Sequence, residues 1–261
     1  MTLEILKLGG SVVTDKAIPM SPNIDSIKRL ANEISKADSK ELIIIHGGGS
    51  FGHPLAKDYD IINGYKSDLQ LLGFSKTRQA MIQLNSLILN NLLDANIPAV
   101  SINPSSIIVT NNKRIKNVNV SVLNRYLQTG FIPVLYGDAV LDNKRRFTIL
   151  SGDQLAVKLS ILLKVERIIF GVDVDGVYST NPKLSPQARL IEDLSLKEMK
   201  DIIKIGNALP TDVTGGMLGK IKEAEKAVNF GVKVLLVNAL KPDYIYRALR
   251  YENVISTTLK R

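Results

Sequence analysis

The chain has 261 residues, of which 45% are hydrophobic and 23% charged, so it is long enough for one large α/β domain and falls outside the disordered and fibrous classes. It has no cysteine, which excludes disulfides, thiolate zinc sites and a cysteine nucleophile and leaves His46 and His53 as the only imidazoles. The formal charge of +9 is compatible with nucleic acid, an anionic surface or anionic small ligands and reads mostly as solvated lysine; the basic residues are spread along the chain and aromatics are few, so no nucleic-acid partner is expected. Apolar runs such as Leu42 to Ile45 and Val232 to Val237 are far shorter than the roughly 20 residues that cross a bilayer, and the N-terminus lacks a signal-peptide pattern. The expectation is a cytoplasmic protein with no membrane partner.

Apolar β-rich runs alternate with helical patterns along the chain, the pattern of parallel strands joined by crossover helices, hence an α/β fold. The first strand, Leu3 to Leu8, ends in Lys7-Leu8-Gly9-Gly10-Ser11. Paired glycines let successive backbone N–H groups turn inward as an anion-binding nest. A lysine inside an apolar strand is costly to bury unless its charge meets a partner, so Lys7 at the strand's carboxyl end points to a ligand anion. The alternative is an exposed strand-end lysine before an ordinary turn.

After a helix over Ile24 to Ile34, the strand Glu41 to His46 runs into Gly47-Gly48-Gly49-Ser50-Phe51-Gly52-His53. Glycines allow positive φ and let a ligand approach the backbone without meeting a Cβ, as phosphate cradles require. Gly47, Gly49 and Gly52 also satisfy the dinucleotide fingerprint, but the acidic residue it expects falls at Asp68, which does not read as a strand end. An NAD-binding oxidoreductase is therefore the runner-up, and no P-loop is present. His46 reads as a structural residue held by packing or a backbone hydrogen bond.

A helix over Phe74 to Leu93 carries Met81, Ile82, Leu84, Leu87 and Ile88; some of these are candidates for an apolar ligand pocket, and the spacing is that of any buried helical face. A strand over Ala99 to Ile102 follows. Short alternating runs between Ile107 and Val120 and between Tyr136 and Leu150, around Asn112-Lys113 and Asn143-Lys144, predict hairpins added to the main sheet. Gly130 and Gly231 stand where helix C-caps belong. Between the hairpins lies a strand over Ile132 to Leu135.

In the second half, Leu150-Ser151-Gly152-Asp153 opens a helix to Leu163, with Asp153 able to serve as its N-cap. The strand Glu166 to Val172 enters Asp173-Val174-Asp175-Gly176-Val177-Tyr178. This Asp-x-Asp-Gly is not a calcium loop, because Leu184 stands where the terminal glutamate would fall; a loop gripping a nucleotide's ribose and base fits better. After a helix over Ser195 to Ile203, Asp212-Val213-Thr214-Gly215-Gly216-Met217-Leu218-Gly219-Lys220 opens a helix over Leu218 to Phe230, and the strand Lys233 to Val237 follows. A lysine in a first helical turn opposes the macrodipole, and a bound anion would explain Lys220. With no linker or repeat, residues 1–261 are assigned to one domain with two functional halves.

In this order the segments resemble the amino acid kinase family, whose members phosphorylate carboxylates, carbamate, nucleoside monophosphates or alkyl phosphates. The resemblance spans almost the whole chain. With Thr14-Asp15-Lys16 and with His53 closing its glycine loop, the set is most similar to the isopentenyl phosphate kinase branch, the fosfomycin-type kinases being similar here. The resemblance implies a three-layer αβα sandwich with a mainly parallel central sheet, and ATP-dependent conversion of isopentenyl phosphate to isopentenyl diphosphate in isoprenoid biosynthesis by the modified mevalonate route. Alternatives are a fosfomycin-type or other small-molecule kinase of the same fold, or a non-catalytic nucleotide-binding protein, against which Lys7, Lys16 and Lys220 stand.

By the same resemblance, Lys7 and Lys220 hold the ATP phosphates, Lys16 stabilises the transition state and Asp153 orients the lysines. Gly9, Gly10 and Ser11 form the nucleotide phosphate loop; Asp173, Val174, Asp175, Gly176, Val177 and Tyr178 with Gly216 form the nucleotide wall. Gly48, His53 and Gly152 fall at acceptor-phosphate positions and Gly49 faces the transferred phosphate. The N-terminal half is expected to be mainly acceptor-binding and the C-terminal half mainly ATP-binding, with magnesium carried by ATP and the protein a homodimer.

Overall fold

A computed structural model describes residues 3–180, 185, 187–208 and 215–261. In chain order it contains β1 (Glu4–Leu8), α1 (Gly10–Val13), α2 (Ile24–Ala37), β2 (Leu42–His46), α3 (Gly49–Asp58), α4 (Leu69–Asp94), β3 (Ala99–Ser101), α5 (Pro104–Ile107), β4 (Ile108–Asn111) and β5 (Arg114–Val118). There follow α6 (Val120–Thr129), β6 (Ile132–Tyr136), β7 (Asp138–Asp142), β8 (Arg146–Leu150), α7 (Gly152–Leu162), β9 (Arg167–Val172), β10 (Val177–Tyr178), β11 (Leu190–Ile191) and β12 (Asp193–Ser195). The chain closes with α8 (Leu196–Ala208), α9 (Gly215–Asn229), β13 (Lys233–Asn238), α10 (Tyr244–Leu249) and β14 (Ser256–Lys260).

The central sheet has the order β12-β14-β13-β9-β1-β2-β6-β3. Every pairing is parallel except β13 with β14, which turns the last edge of the sheet back on itself. Side chains alternate between its faces. Ile5, Ile43, Ile45, Ile168 and Phe170 pack with Leu155 and Leu159 of α7 and Ile221 and Val228 of α9. Leu6, Leu8, Ile44 and Ile169 pack on the other face with α2, α4 and α10 through Leu30, Leu84 and Ile245. The fold is the expected three-layer sandwich with a mainly parallel sheet. Lys7 shares the Ile5 face, so its ammonium emerges under the α7 and α9 layer.

Both predicted hairpins form, but they do not extend the main sheet. They pair with each other in a separate four-stranded sheet, β5-β4-β7-β8. The Asp142 carboxylate explains the pairing, because it accepts backbone N–H bonds from both turns: Asn112 and Lys113 on one side, Lys144 and Arg145 on the other. These bonds outweigh the effect of burial and hold its pKa down at about 2. Asn112 and Lys113 both take positive φ, as a two-residue hairpin turn requires.

Helix α4 starts at Leu69, earlier than its periodicity suggests, α3 forms where no helix was expected, and α6 is the helix that the C-cap reading of Gly130 implied. Segment α3 looks like loop because three of its first six residues are Gly49, Gly52 and Pro54; tertiary packing overrides weak propensity there. Gly130 is the C-cap of α6 in the left-handed conformation. Helix α9 begins at Gly215, so Lys220 stands in its second turn rather than its first. The glycines read as a loop are themselves helical, and the macrodipole argument for Lys220 loses its force. Among the described residues no helix is long and apolar enough to cross a membrane.

Candidate active site

Three helices, α1, α3 and α7, begin where β1, β2 and β8 end, and their N-termini meet above the carboxyl edge of the central sheet, where open α/β sheets bind ligands. Gly9 N–H donates to Gly171 O on β9 at 2.8 Å, which anchors the first glycine loop to the neighbouring strand. The two glycine loops lie backbone against backbone: a Cβ on Gly10 would stand 2.4 Å from Gly49 N. Gly49 also has φ +47° and packs on Thr14, so no side chain fits there.

Thr14 fastens the two loops together. Its Oγ1 donates to Gly10 O at 2.7 Å and accepts from Ser50 N–H at 3.0 Å. Ser50 in turn donates from Oγ to Ser21 O and accepts Met20 N–H at its carbonyl, so the segment that carries Lys16 is pinned to the start of α3. Thr14 and Ser50 stand inside the sequence motifs with nothing local to mark this part; only their contact reveals it.

The charged centre consists of Lys7, Asp153 and Lys220. Lys7 Nζ forms an ion pair with Asp153 Oδ1 at 2.6 Å, and Lys220 Nζ donates to Asp153 Oδ2 at 2.8 Å. The three side chains are only 7, 15 and 8% exposed, in the order Lys7, Asp153, Lys220. Ser151, not Asp153, caps α7: its hydroxyl accepts Asp153 N–H at 3.2 Å, which leaves the aspartate side chain to the lysines. The start of α7 packs closely on β1 and β2: a Cβ on Gly152 would lie 3.3 Å from His46 O and 3.4 Å from Lys7 Cε.

Burial alone would raise the Asp153 pKa, but the two ammoniums overcome it and hold the carboxyl well below the usual range. Burial, and then the nearby Lys7, lowers Lys220 to about 8 despite Asp153. The Phe170 ring, centred 4.9 Å from Lys220 Nζ, supplies an attractive π face. Two cations on one carboxylate leave an excess positive charge, which is what a polyanionic ligand would neutralise.

Lys16 is exposed, with Nζ 3.5 Å from Asp173 Oδ2, and its charge helps hold the Asp173 pKa down against the effect of burial. His53 is exposed on α3. The protein packed around it and then the charges of Lys7 and Lys16 lower its pKa, so both lysines act on the imidazole through space. Met81 of α4 packs against the second glycine loop, its sulfur 3.1 Å from where a Cβ on Gly48 would be. Among the described residues no three His, Asp or Glu side chains gather into a metal-holding group.

Of the nucleotide-wall residues, Asp175 accepts from Asn238 Nδ2 at 3.0 Å and from the Tyr178 hydroxyl at 3.3 Å, and pairs with Lys241 at 2.8 Å. Asn238 and Lys241 had no motif to mark them. Val174 is half-buried against the core, Val177 is buried, and the Val177 N–H donates to Thr257 Oγ1, against which Gly176 packs without room for a Cβ. Gly216 has open space around it, while Asp212 to Thr214 lie outside the described residues.

His46 is fully buried, stacked on Tyr136, and pushed by burial down to about pKa 4. Its Nδ1 donates to Gly47 O at 3.0 Å, and its Nε2 faces the Asn85 side-chain amide at 3.3 Å. With a neutral ring, the amide must turn its NH2 toward Nε2 and take the Ser101 hydroxyl proton on its oxygen; every group then has a partner. His46 is structural by this geometry. Asp68 sits at the N-terminal end of α4, not at a strand end, which removes the dinucleotide fingerprint's ribose contact.

Residues 2–238 match the Amino acid kinase family. The chain belongs to the amino acid kinase family. Among family members, the isopentenyl phosphate kinase of Methanothermobacter thermautotrophicus is 43% identical over 98% of both chains. A solved isopentenyl phosphate kinase superposes with a TM-score of 0.87 at 39% identity, covering 99% of this chain and all of that one. The product complex of the Thermoplasma acidophilum isopentenyl phosphate kinase superposes with a TM-score of 0.82 at 28% identity, again over 99% of this chain.

Proposed function

We propose that the protein phosphorylates isopentenyl phosphate to isopentenyl diphosphate with ATP. The observation that carries the proposal is the Lys7–Asp153–Lys220 cluster at the carboxyl edge of the sheet, beside the two apposed glycine loops, with Lys7 and Lys16 both acting on His53. A phosphate oxygen of the acceptor attacks the γ-phosphorus of ATP, the bond from that phosphorus to the β–γ bridging oxygen breaks, and ADP leaves with the electron pair. The acceptor phosphate is already ionised at neutral pH, so no strong general base is needed; catalysis lies in alignment and charge stabilisation.

In this reading Lys7 and Lys220 hold the ATP phosphates and follow the charge that develops on the transferred group. Asp153 aims both ammoniums, and Lys16 adds its charge from the loop pinned by Thr14. His53, with backbone N–H groups at Gly48 and Gly152, receives the acceptor phosphate, while Gly9, Gly10, Ser11 and Gly49 face the nucleotide phosphates. Asp173 to Tyr178 and Gly216 border the ribose and base. Magnesium would come with the nucleotide and would add charge neutralisation, the Asp153 and Asp173 carboxylates being already paired with lysines.

The N-terminal half thus serves mainly the acceptor and the C-terminal half ATP, within one domain. The protein is read as a cytoplasmic homodimer, which its mass in solution tests for the assembly. The activity is tested by ATP consumption with isopentenyl phosphate, dimethylallyl phosphate, fosfomycin, acetylglutamate, aspartate and uridine monophosphate. The highest kcat/KM is expected with isopentenyl phosphate, and preference for any non-prenyl acceptor overturns the assignment.

A further inference from the structure

The β4–β5 hairpin reaches across to both helices that carry the charged centre. Arg114 of β5 makes a two-pronged ion pair with Glu223 of α9, Nη1 to Oε1 at 2.5 Å and Nη2 to Oε2 at 2.9 Å. Glu223 follows Lys220 by three residues, so the two are neighbours on one face of α9. It is mostly buried, and Lys226 takes its second oxygen at 3.0 Å. The other attachment is Gln154, next to Asp153 in α7 and 7% exposed. Its oxygen accepts Ile115 N–H at 2.8 Å and its amide donates to Lys113 O at 3.0 Å. Residues 113–115 are therefore tied to the sequence neighbours of both Asp153 and Lys220.

The hairpin is itself held from behind. Asp142 fixes its turn by accepting from Asn112 and Lys113, and Arg145 Nε donates to Asn112 Oδ1 at 3.0 Å. An ion pair with one partner half exposed, as Arg114 is, adds little to stability. A planar guanidinium fork, however, fixes direction as well as distance. We propose that Arg114 and Gln154 are positioning residues: the hairpin acts as a brace that sets α9 against α7 so that Lys220 meets Asp153 and the transferred phosphoryl group. The inference rests on the roles given to Lys220 and Asp153 above.

The test compares steady-state kinetics, with ATP and isopentenyl phosphate, and melting temperatures of the parent, Arg114→Ala, Arg114→Lys, Gln154→Ala and Arg114→Ala/Glu223→Ala. Arg114→Ala is expected to lower kcat about tenfold, as small misplacements of catalytic groups do, with the acceptor KM within about twofold. Arg114→Lys should recover only part of the loss, since an ammonium cannot reproduce the fork. The double variant should be no slower than the single one, because both remove one interaction. If the parent is active and folded Arg114→Ala and Gln154→Ala both keep kcat within about twofold, the brace is wrong, misplacement being worth far more. A loss of activity that only tracks the loss of folded protein overturns the brace as well. A parent inactive on every acceptor refutes the functional reading itself.

Discussion

Lys220 Nζ donates to Asp153 Oδ2 at 2.8 Å across the interface of α9 and α7. One carboxylate thereby aims two buried ammoniums, and removing any member changes the electrostatics of the others. Lys7→Ala and Lys220→Ala should each lower turnover by roughly 10²-fold or more, the scale for losing a donor that stabilises developing charge. Circular dichroism should show both variants folded. Near-parental turnover in either one would remove its assigned role.

Asp153→Asn leaves two close ammoniums without a counter-charge, and breaking a buried pair in this way costs about 3 kcal/mol. The sign of its pH dependence is fixed by Lys220, whose folded pKa of about 8 lies below that of an unfolded lysine. Between those values the unfolded chain binds more protons, so rising pH stabilises the fold. Losing the carboxylate lowers the lysine pKa further and widens the window on its acid side. Urea unfolding at several pH values should show the deficit of Asp153→Asn shrinking as pH rises toward alkaline.

The same group sets an alkaline limb in the kinetics. kcat/KM for ATP reports the free enzyme, and it should fall as pH passes about 8, where Lys220 loses its proton. Lys220→Arg, slower overall, should lack that limb because guanidinium stays charged. A limb unchanged by this substitution would assign it to another group.

His53 is held neutral in the free protein by its surroundings and by Lys7 and Lys16, and a dianionic acceptor phosphate reverses the balance. Acceptor binding near neutral pH should therefore take up protons, seen as a dependence of calorimetric heat on the buffer's ionisation enthalpy. His53→Ala should lose about 1.5 to 3 kcal/mol of acceptor interaction with little change for ATP, and His53→Gln should fall between. Buffer-independent heats would show that the imidazole does not charge on binding.

Helix α4 carries two kinds of large apolar residue. Phe74 packs on Phe147 at 5.3 Å in a small aromatic cluster beside α3, whereas Leu84 lies in the core behind the sheet. Phe74→Ala should admit longer prenyl phosphates, each added methylene gaining roughly 0.8 kcal/mol where room exists. Leu84→Ala should instead cost about 2 to 5 kcal/mol of stability with chain-length preference intact. The readouts are kcat/KM across an acceptor length series and urea midpoints, and an unchanged preference in Phe74→Ala would place the alkyl pocket elsewhere.

Local chemistry alone determined much of this protein. Short continuous apolar runs located β1, β2, β6, β9 and β13, whose residues are mostly buried on both faces of the sheet, and helical spacing located most of α2, α4, α7 and α9. Asn112-Lys113 marked its hairpin turn, and the glycine loops after β1 and β2 marked the site, since few residues other than glycine allow two backbones to touch as Gly10 and Gly49 do. What the tertiary structure decided lies between distant segments. The pairing of the two hairpins through Asp142, the Thr14 fastening of Ser50, the Asn238 and Lys241 contacts with Asp175, and the seat of Asp153 between Lys7 and Lys220 left no local periodicity to read. Such contacts form only once the sheet order has closed long stretches of chain, and a carboxylate in the first turn of a helix looks the same in sequence whether it faces water or two lysines.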